Sequence, residues 1–267
     1  MRPRRRDYRR FPSDRRFVLA AMRAGRRQSP VHGLTQVDVS AVAARFGGGR
    51  GELSPTAYVV AAVGRAVAIH PEVAAYRDWR GRLVVNRYVD VATMIEVDGL
   101  DGKFPLAHVV RNADVKDVAS ISEELRTVKH QPGKSPSGRL LNRAAALAGR
   151  VPGVLRLFFW LPARVPRMRE RAGTVTVTSV GMFLRSGGHG IGVPTIMTLT
   201  VLVGGMSERP VVRNGEVVAR PMLDLTVSVD HRIVDGGPIA RFGTELQRIL
   251  ESGELVGRPG AEADPDP

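Results

Sequence analysis

The chain contains no cysteine, which excludes disulfides, thiolate metal sites and a cysteine nucleophile. Lysine is nearly absent as well. Lys103, Lys116, Lys129 and Lys134 are the only lysines among 40 basic residues, so arginine carries almost all of the positive charge. Acidic residues number 26, which leaves a formal net charge of +14. So uniform an arginine bias fits codon usage in a GC-rich genome and is weak evidence for a function. Aromatic residues make up only 5% of the chain, and no RNA- or DNA-binding signature accompanies the charge, so specific nucleic-acid recognition is not expected. Long apolar runs are missing too. Nothing after the N-terminal arginines reads as a secretory signal. The best run, VPGVLRLFFWLP (Val151 to Pro162), is too short to cross a bilayer and is broken by Arg156 and prolines. These absences predict a soluble, cytoplasmic protein with no transmembrane segment; membrane-surface contact stays open.

What is present is enough for a sizeable core. The 267 residues, 43% of them hydrophobic, suggest one large domain or two small ones. Residues 1–12 read as a basic flexible arm and residues 256–267, polar and Pro-rich, as a disordered tail. Between them the signals alternate. A short helix is expected to end at Arg26, followed by a strand over Gly33–Val39. Ser54-Pro55 caps a strong, all-round apolar helix, PTAYVVAAVGRAVAIH. RLVVNRYVDVATMIEV reads as two strands, HVVRNAD as a short one, and VKDVASISEELRTVKH as an amphipathic helix. GTVTVTSVGMF, IMTLTVLVGG and MLDLTVSVDH alternate or carry β-branched residues and read as strands. Asn214-Gly215 between VVR and EVV marks a hairpin. PIARFGTELQRILES closes the pattern as a helix stopped by Gly253. The expected fold class is α+β, a two-layer arrangement with a large mixed sheet flanked by helices.

The segment with the most chemistry is SVDHRIVDGG, Ser228 to Gly237. His231 stands at the end of a β-branched strand, before a turn containing Gly236 and Gly237. A neutral imidazole there can take a proton from a thiol or hydroxyl and later return it. The bland alternative is a surface histidine in a charged turn. Asp235 lies four residues on in a non-helical segment, so contact with His231 is not implied; it could equally anchor the turn through an arginine elsewhere.

DHRIVDG matches the DHRxxDG signature of the dihydrolipoyl acyltransferases of 2-oxoacid dehydrogenase complexes, and the chain resembles the catalytic domain of that family. The supporting segments fall in the family's order: RRFVLAAM, QVDVSAV, LSPTAYVVAAVGRAVAIHPEVAAY, VVRNAD, TVTVTSVGMF, SERPVVRNGEVVARPML and RFGTELQRILE. The resemblance covers residues 13–255 apart from Gln131–Gly173, an apolar helical insertion. It implies a chloramphenicol acetyltransferase-like fold and a homotrimer with active sites between subunits. It implies an acyltransferase that moves an acyl group between coenzyme A and a dihydrolipoyl-type thiol. Carried over by position, the catalytic residues are His231 as general base, Thr178 as oxyanion donor, and Asp235, which matches an aspartate paired with a first-helix arginine, here Arg15 or failing that Arg16. Ser179 and Gly236 are supporting residues.

Departures from the family sharpen the expectations. No lipoyl domain is recognised, so a lipoyl group would come from a separate lipoyl or carrier protein. Asp101, Gly102 and Lys103 interrupt the stretch expected after the central strands and bear on the thiol channel. The insertion is either a helical hairpin packed on the trimer or a hydrophobic lid over the acyl group. The end VGRPGAEADPDP offers no apolar anchor, which predicts an isolated trimer. His189, in SGGHGIG, is a substrate-contact candidate, and no residue set suggests a metal. The competing readings are a non-catalytic trimeric scaffold or regulator, an acyltransferase with an amine, alcohol or carrier-protein acceptor, and a nucleic-acid or membrane-surface binder resting on charge alone.

Overall fold

The computed structural model of the chain describes residues 6–8, 15–47, 52–99, 102–136, 153–180 and 186–256. The arm expected over 1–12 lies outside these residues except at 6–8, and the tail expected over 256–267 except at Val256. In chain order the elements are α1 (Arg15–Gly25), β1 (Pro30–Asp38), α2 (Pro55–Ile69), β2 (Tyr76–Arg77), β3 (Leu83–Val84), β4 (Val91–Gly99) and β5 (Gly102–Val110). They continue with α3 (Val118–His130), α4 (Val154–Arg164), α5 (Pro166–Ala172), β6 (Val175–Ser179), β7 (Leu199–Arg213), β8 (Glu216–Asp230) and α6 (Gly236–Ser252).

Six strands form one mixed sheet in the order β1-β8-β7-β6-β4-β5, with β6 parallel to both neighbours and the other pairs antiparallel. The two faces differ in chemistry because side chains alternate along a strand. One face carries Val91, Val175, Val177, Val201, Leu225 and Val227, all buried. Helices α2, α3 and α6 cover it, and Tyr58 of α2 donates its hydroxyl to the Leu250 carbonyl of α6 at 2.8 Å. The other face is hydroxyl-rich. One row across it reads His32, Ser228, Thr200 and Thr176, and the next reads Leu34, Thr226, Leu202 and Thr178. The α+β expectation, a large mixed sheet with helices against it, matches this architecture.

The local signals act as physical chemistry predicts. Ser54 accepts from the Ala57 amide and Pro55 sits in the first turn of α2. Asp117 caps α3 through the Ser120 amide at 2.8 Å. Asn214 and Gly215 both have positive φ, 53° and 84°, as a two-residue hairpin with the strands' right-handed twist requires. Gly64 is needed for proximity: a Cβ there would overlap the Ala113 carbonyl, so α2 packs directly on the turn after β5.

One expected strand is corrected. HVVRNAD is only the end of an element, because β5 begins at Gly102 and pairs with β4 along its whole length. RNAD is the turn that follows, with Asn112 at φ 52°. Pro105 lies inside β5 and is tolerated because β5 is an edge strand. Gly102 and Lys103 thus begin a β4–β5 hairpin arm; Leu100 and Asp101 lie outside the described residues. Among the described residues, no helix is long and apolar enough to cross a membrane.

Candidate active site

The turn after β8 is built on a buried carboxylate. Asp230 ends the strand at 4% exposure. It accepts from Arg232 Nε at 3.0 Å and Nη2 at 2.7 Å, from the Arg232 amide at 3.3 Å, and from the Ser29 amide at 3.1 Å. Burial alone would raise its pKa. The Arg232 side chain and the two backbone amides outweigh that and hold the carboxyl below its ordinary range. The Ile233 and Val234 amides donate to the Asp230 carbonyl. Two positions on either side of His231 are therefore fixed, and the His231 amide donates to the Ser29 carbonyl at 3.0 Å.

His231 points outward from this clamp. Its side chain is 47% exposed, and Nδ1 lies 3.7 Å from Asp235 Oδ1. That separation is an ion-pair distance, longer than a hydrogen bond. Asp235 is 91% exposed and immediately precedes α6. The spacing left open by the sequence is thus resolved with Asp235 facing His231. The Arg15 and Arg16 side chains lie outside the described residues, as does their expected pairing with Asp235. Gly236 begins α6 with nothing within 4 Å of where a Cβ would stand.

Thr178 lies on β6, half-buried on the hydroxyl-rich face. Ser179 is the next residue, so alternation points it to the helix-covered face. Thr178 is level with Leu202 and Thr226, while His231 lies five residues beyond Thr226 and two strands away. Strand rise and spacing put the two roughly 20 Å apart within one chain. One copy does not bring the imidazole and this hydroxyl together.

His189 lies over the same face, where Nε2 meets the Thr35 carbonyl at 3.0 Å and Asp224 Oδ1 at 3.8 Å. Asp224, fully buried, accepts from Arg209 Nη2 and Gln36 Nε2, each at 2.8 Å, and from the Gly188 amide. This carboxylate pins the glycine-rich loop to the sheet, and His189 belongs to that fastening. Among the described residues no cluster suited to a metal ion is found.

A cleft of about 920 Å³ opens beside the turn, between α1 and α4. Asp230, Arg232 and Ile233 form part of its wall, as do Tyr76 and Ile196. Behind them Arg169 of α5 is fully buried. It stacks 4.7 Å from the Tyr76 ring and donates Nη1 to the Ile196 carbonyl at 2.8 Å. Burial pushes its pKa down to about 10, so it keeps its charge at neutral pH. The expected insertion at 131–173 thus contributes α4 and α5. Sequence reasoning missed both Asp230 and Arg169 as organising residues. The one available signal was the Asp-His-Arg run, which places a carboxylate and its arginine two residues apart.

Residues 167–257 match the model of the 2-oxoacid dehydrogenases acyltransferase (catalytic domain). The dihydrolipoyllysine-residue acetyltransferase component of the pyruvate dehydrogenase complex of Staphylococcus epidermidis is 26% identical over 206 residues, 74% of this chain and 39% of the relative. The Staphylococcus aureus counterpart is 25% identical and is covered over 52% of its length. The chain therefore spans about half, or less, of the curated relatives it matches. Among solved structures, Azotobacter vinelandii dihydrolipoamide acetyltransferase aligns with TM-score 0.67 at 18% identity, covering 94% of this chain and 95% of that one. The likeness to the solved structure is one of fold, and residues 167–257, which hold the strand of Thr178 and the turn of His231, are similar to the catalytic domain of the 2-oxoacid dehydrogenase acyltransferases.

Proposed function

We propose that residues 13–255 form the catalytic unit of an acyltransferase that exchanges an acyl group between coenzyme A and a dihydrolipoyl-type thiol. The lipoyl group would be presented by another domain or protein. The observation that carries this reading is the turn geometry. Asp230 and Ser29 immobilise the backbone on both sides of His231, and Asp235 stands 3.7 Å from Nδ1. That leaves Nε2 as the nitrogen for a thiol proton. The turn falls in the family-matched span, and the study of the A. vinelandii enzyme concerns a serine, a histidine and an asparagine in its catalytic mechanism, the last two spaced like His231 and Asp235.

In this reading Nε2 takes the proton of the attacking thiol, and its sulfur bonds to the thioester carbonyl carbon. The carbonyl electron pair moves to oxygen, where the Thr178 hydroxyl donates to the oxyanion. Collapse re-forms the carbonyl and breaks the bond to the original sulfur, which takes the proton back from His231. The separation of roughly 20 Å set by strand rise and spacing within one chain and the exposure of His231 support a site shared between copies, with Thr178 from one and His231 from its neighbour in a trimer.

The test is acyl transfer from acetyl-CoA to dihydrolipoamide. His231→Ala should lose about a hundredfold or more, and Thr178→Ala a similar factor. Co-assembled from equal amounts of the two variants, a trimer should regain about a quarter of the native rate, because each interface draws its two residues independently. Native turnover by His231→Ala would remove the base. Mixed trimers as inactive as their parents would remove the shared site.

A further inference from the structure

The cleft between α1 and α4 has a composition that the proposed acyl exchange does not require. Its apolar walls include Leu19 from α1 and Leu155, Phe159 and Trp160 from α4. Around them stand Arg23, Arg27, Arg77, Arg156 and Arg164. None of these five pairs with a carboxylate among the described residues. Among the described residues the only acid in the wall, Asp230, is already bound by Arg232 and the Ser29 amide. One side chain further back, Arg169 is buried without a carboxylate, and its Nε and Nη2 have no partner among the described residues, nor does the Tyr76 hydroxyl in front of it. A buried, unpaired cation is costly and projects its field through a medium of low dielectric. Apolar walls, several guanidinium groups with no carboxylate partner among the described residues and a cation behind the floor together favour a ligand with an alkyl body and an anionic head. The volume is within the range of small-molecule sites. The wall formed by α4 lies outside the family-matched residues 167–257.

We infer that this cleft binds a soluble single-chain amphipathic anion, an alkyl chain ending in a phosphate or carboxylate, with the chain against α4 and the head among the arginines. The inference goes beyond the acyl exchange and does not depend on His231.

The probe is dodecyl phosphate below its micelle concentration, titrated into the full chain carrying Trp79→Phe, so that emission reports Trp160 alone. Trp79 is exposed and its ring stacks on Arg80, so this background should fold normally. Saturable one-to-one binding with a blue shift is expected. The double reversal Arg23→Glu/Arg156→Glu, which takes one exposed residue from each wall, should weaken it at least tenfold. Phe159→Ala should weaken it severalfold, and His231→Ala should leave it unchanged. Binding should be at least tenfold weaker for neutral dodecyl maltoside, inorganic phosphate and adenosine 3′,5′-bisphosphate. Equal binding of the neutral detergent, tighter binding of the nucleotide, indifference to the arginine reversal, or a spectral shift seen only with anionic phosphatidylglycerol vesicles would overturn the inference.

Discussion

Replacing Asp224 should cost more stability than replacing any other carboxylate described. The side chain has no solvent exposure and holds three donors from three separate elements: Arg209 on β7, Gln36 on β1 and the Gly188 amide in the loop. Bonds to a charged acceptor contribute about 1.5–3 kcal/mol each, but Arg209 is 33% exposed and regains water when released. With that discount, Asp224→Ala should cost about 3–5 kcal/mol, the range for breaking a buried pair. In a domain of this size that corresponds to a fall in Tm of roughly 10 °C. Asp224→Asn keeps one acceptor oxygen and should lose about half as much. Urea unfolding at constant m-value gives the free energies. The cycle with Arg209→Ala should show coupling of about 1–3 kcal/mol. The control is Asp235→Ala, 91% exposed, which should change stability by no more than about 0.5 kcal/mol. A loss below 1 kcal/mol for Asp224→Ala, or a cycle with no coupling, would show that the network does not hold the loop to the sheet.

Gly64→Ala tests the close approach of α2 to the turn after β5. Helix propensity alone favours alanine by about 1 kcal/mol, yet overlap with the Ala113 carbonyl should produce a net loss of about 2 kcal/mol or more in the same urea assay. Asp230 supplies a pH signature. Its folded pKa is depressed, so its contribution is complete above the ordinary aspartate pKa and disappears as pH falls through the lower folded value. Asp230→Asn should therefore reduce stability at pH 7 and flatten the acid side of the stability–pH curve below about pH 5. An unchanged acid limb would show that the Arg232 and Ser29 contacts do not bias the proton.

Much of this was legible in the residues. β-branched runs, the Ser54 and Asp117 caps and Asn214-Gly215 act over a few residues, so sequence alone reveals them. β5 was misjudged because a proline and a charged hairpin end mask a strand that only its edge position permits. The roles of the two aspartates around His231 were not separable. Asp230 becomes the buried anchor because β1 returns Ser29 to it from 201 residues away, and no local pattern encodes that meeting. Arg169 was hidden for a similar reason. It stands in an arginine-rich stretch that reads as solvated, and only the folding of α5 onto Tyr76 and Ile196 buries it.

The run TVTVTS, Thr174 to Ser179 at the start of β6 and along it, shows how one strand can present an aliphatic core face and a hydroxyl face at once. Val175 and Val177 face the helices with no exposure, while Thr176 and Thr178 face away. All are β-branched, so the strand keeps its backbone preference on both sides while the chemistry changes from aliphatic to hydroxyl at every residue. The same alternation recurs in Thr200 and Val201, and in Val227 and Ser228, and it makes one face of the sheet hydroxyl-rich without weakening the core behind the other. His231 emerges at the far end of that surface, anchored by Asp230 and open to solvent. Its reach of a few ångströms cannot bridge the roughly 20 Å to Thr178 set by strand rise and spacing. Under the proposed chemistry His231 therefore lacks the Thr178 hydroxyl within a single copy, and activity depends on assembly. On that proposal, dilution that dissociates the proposed trimer should abolish transfer while leaving the secondary structure of each chain intact.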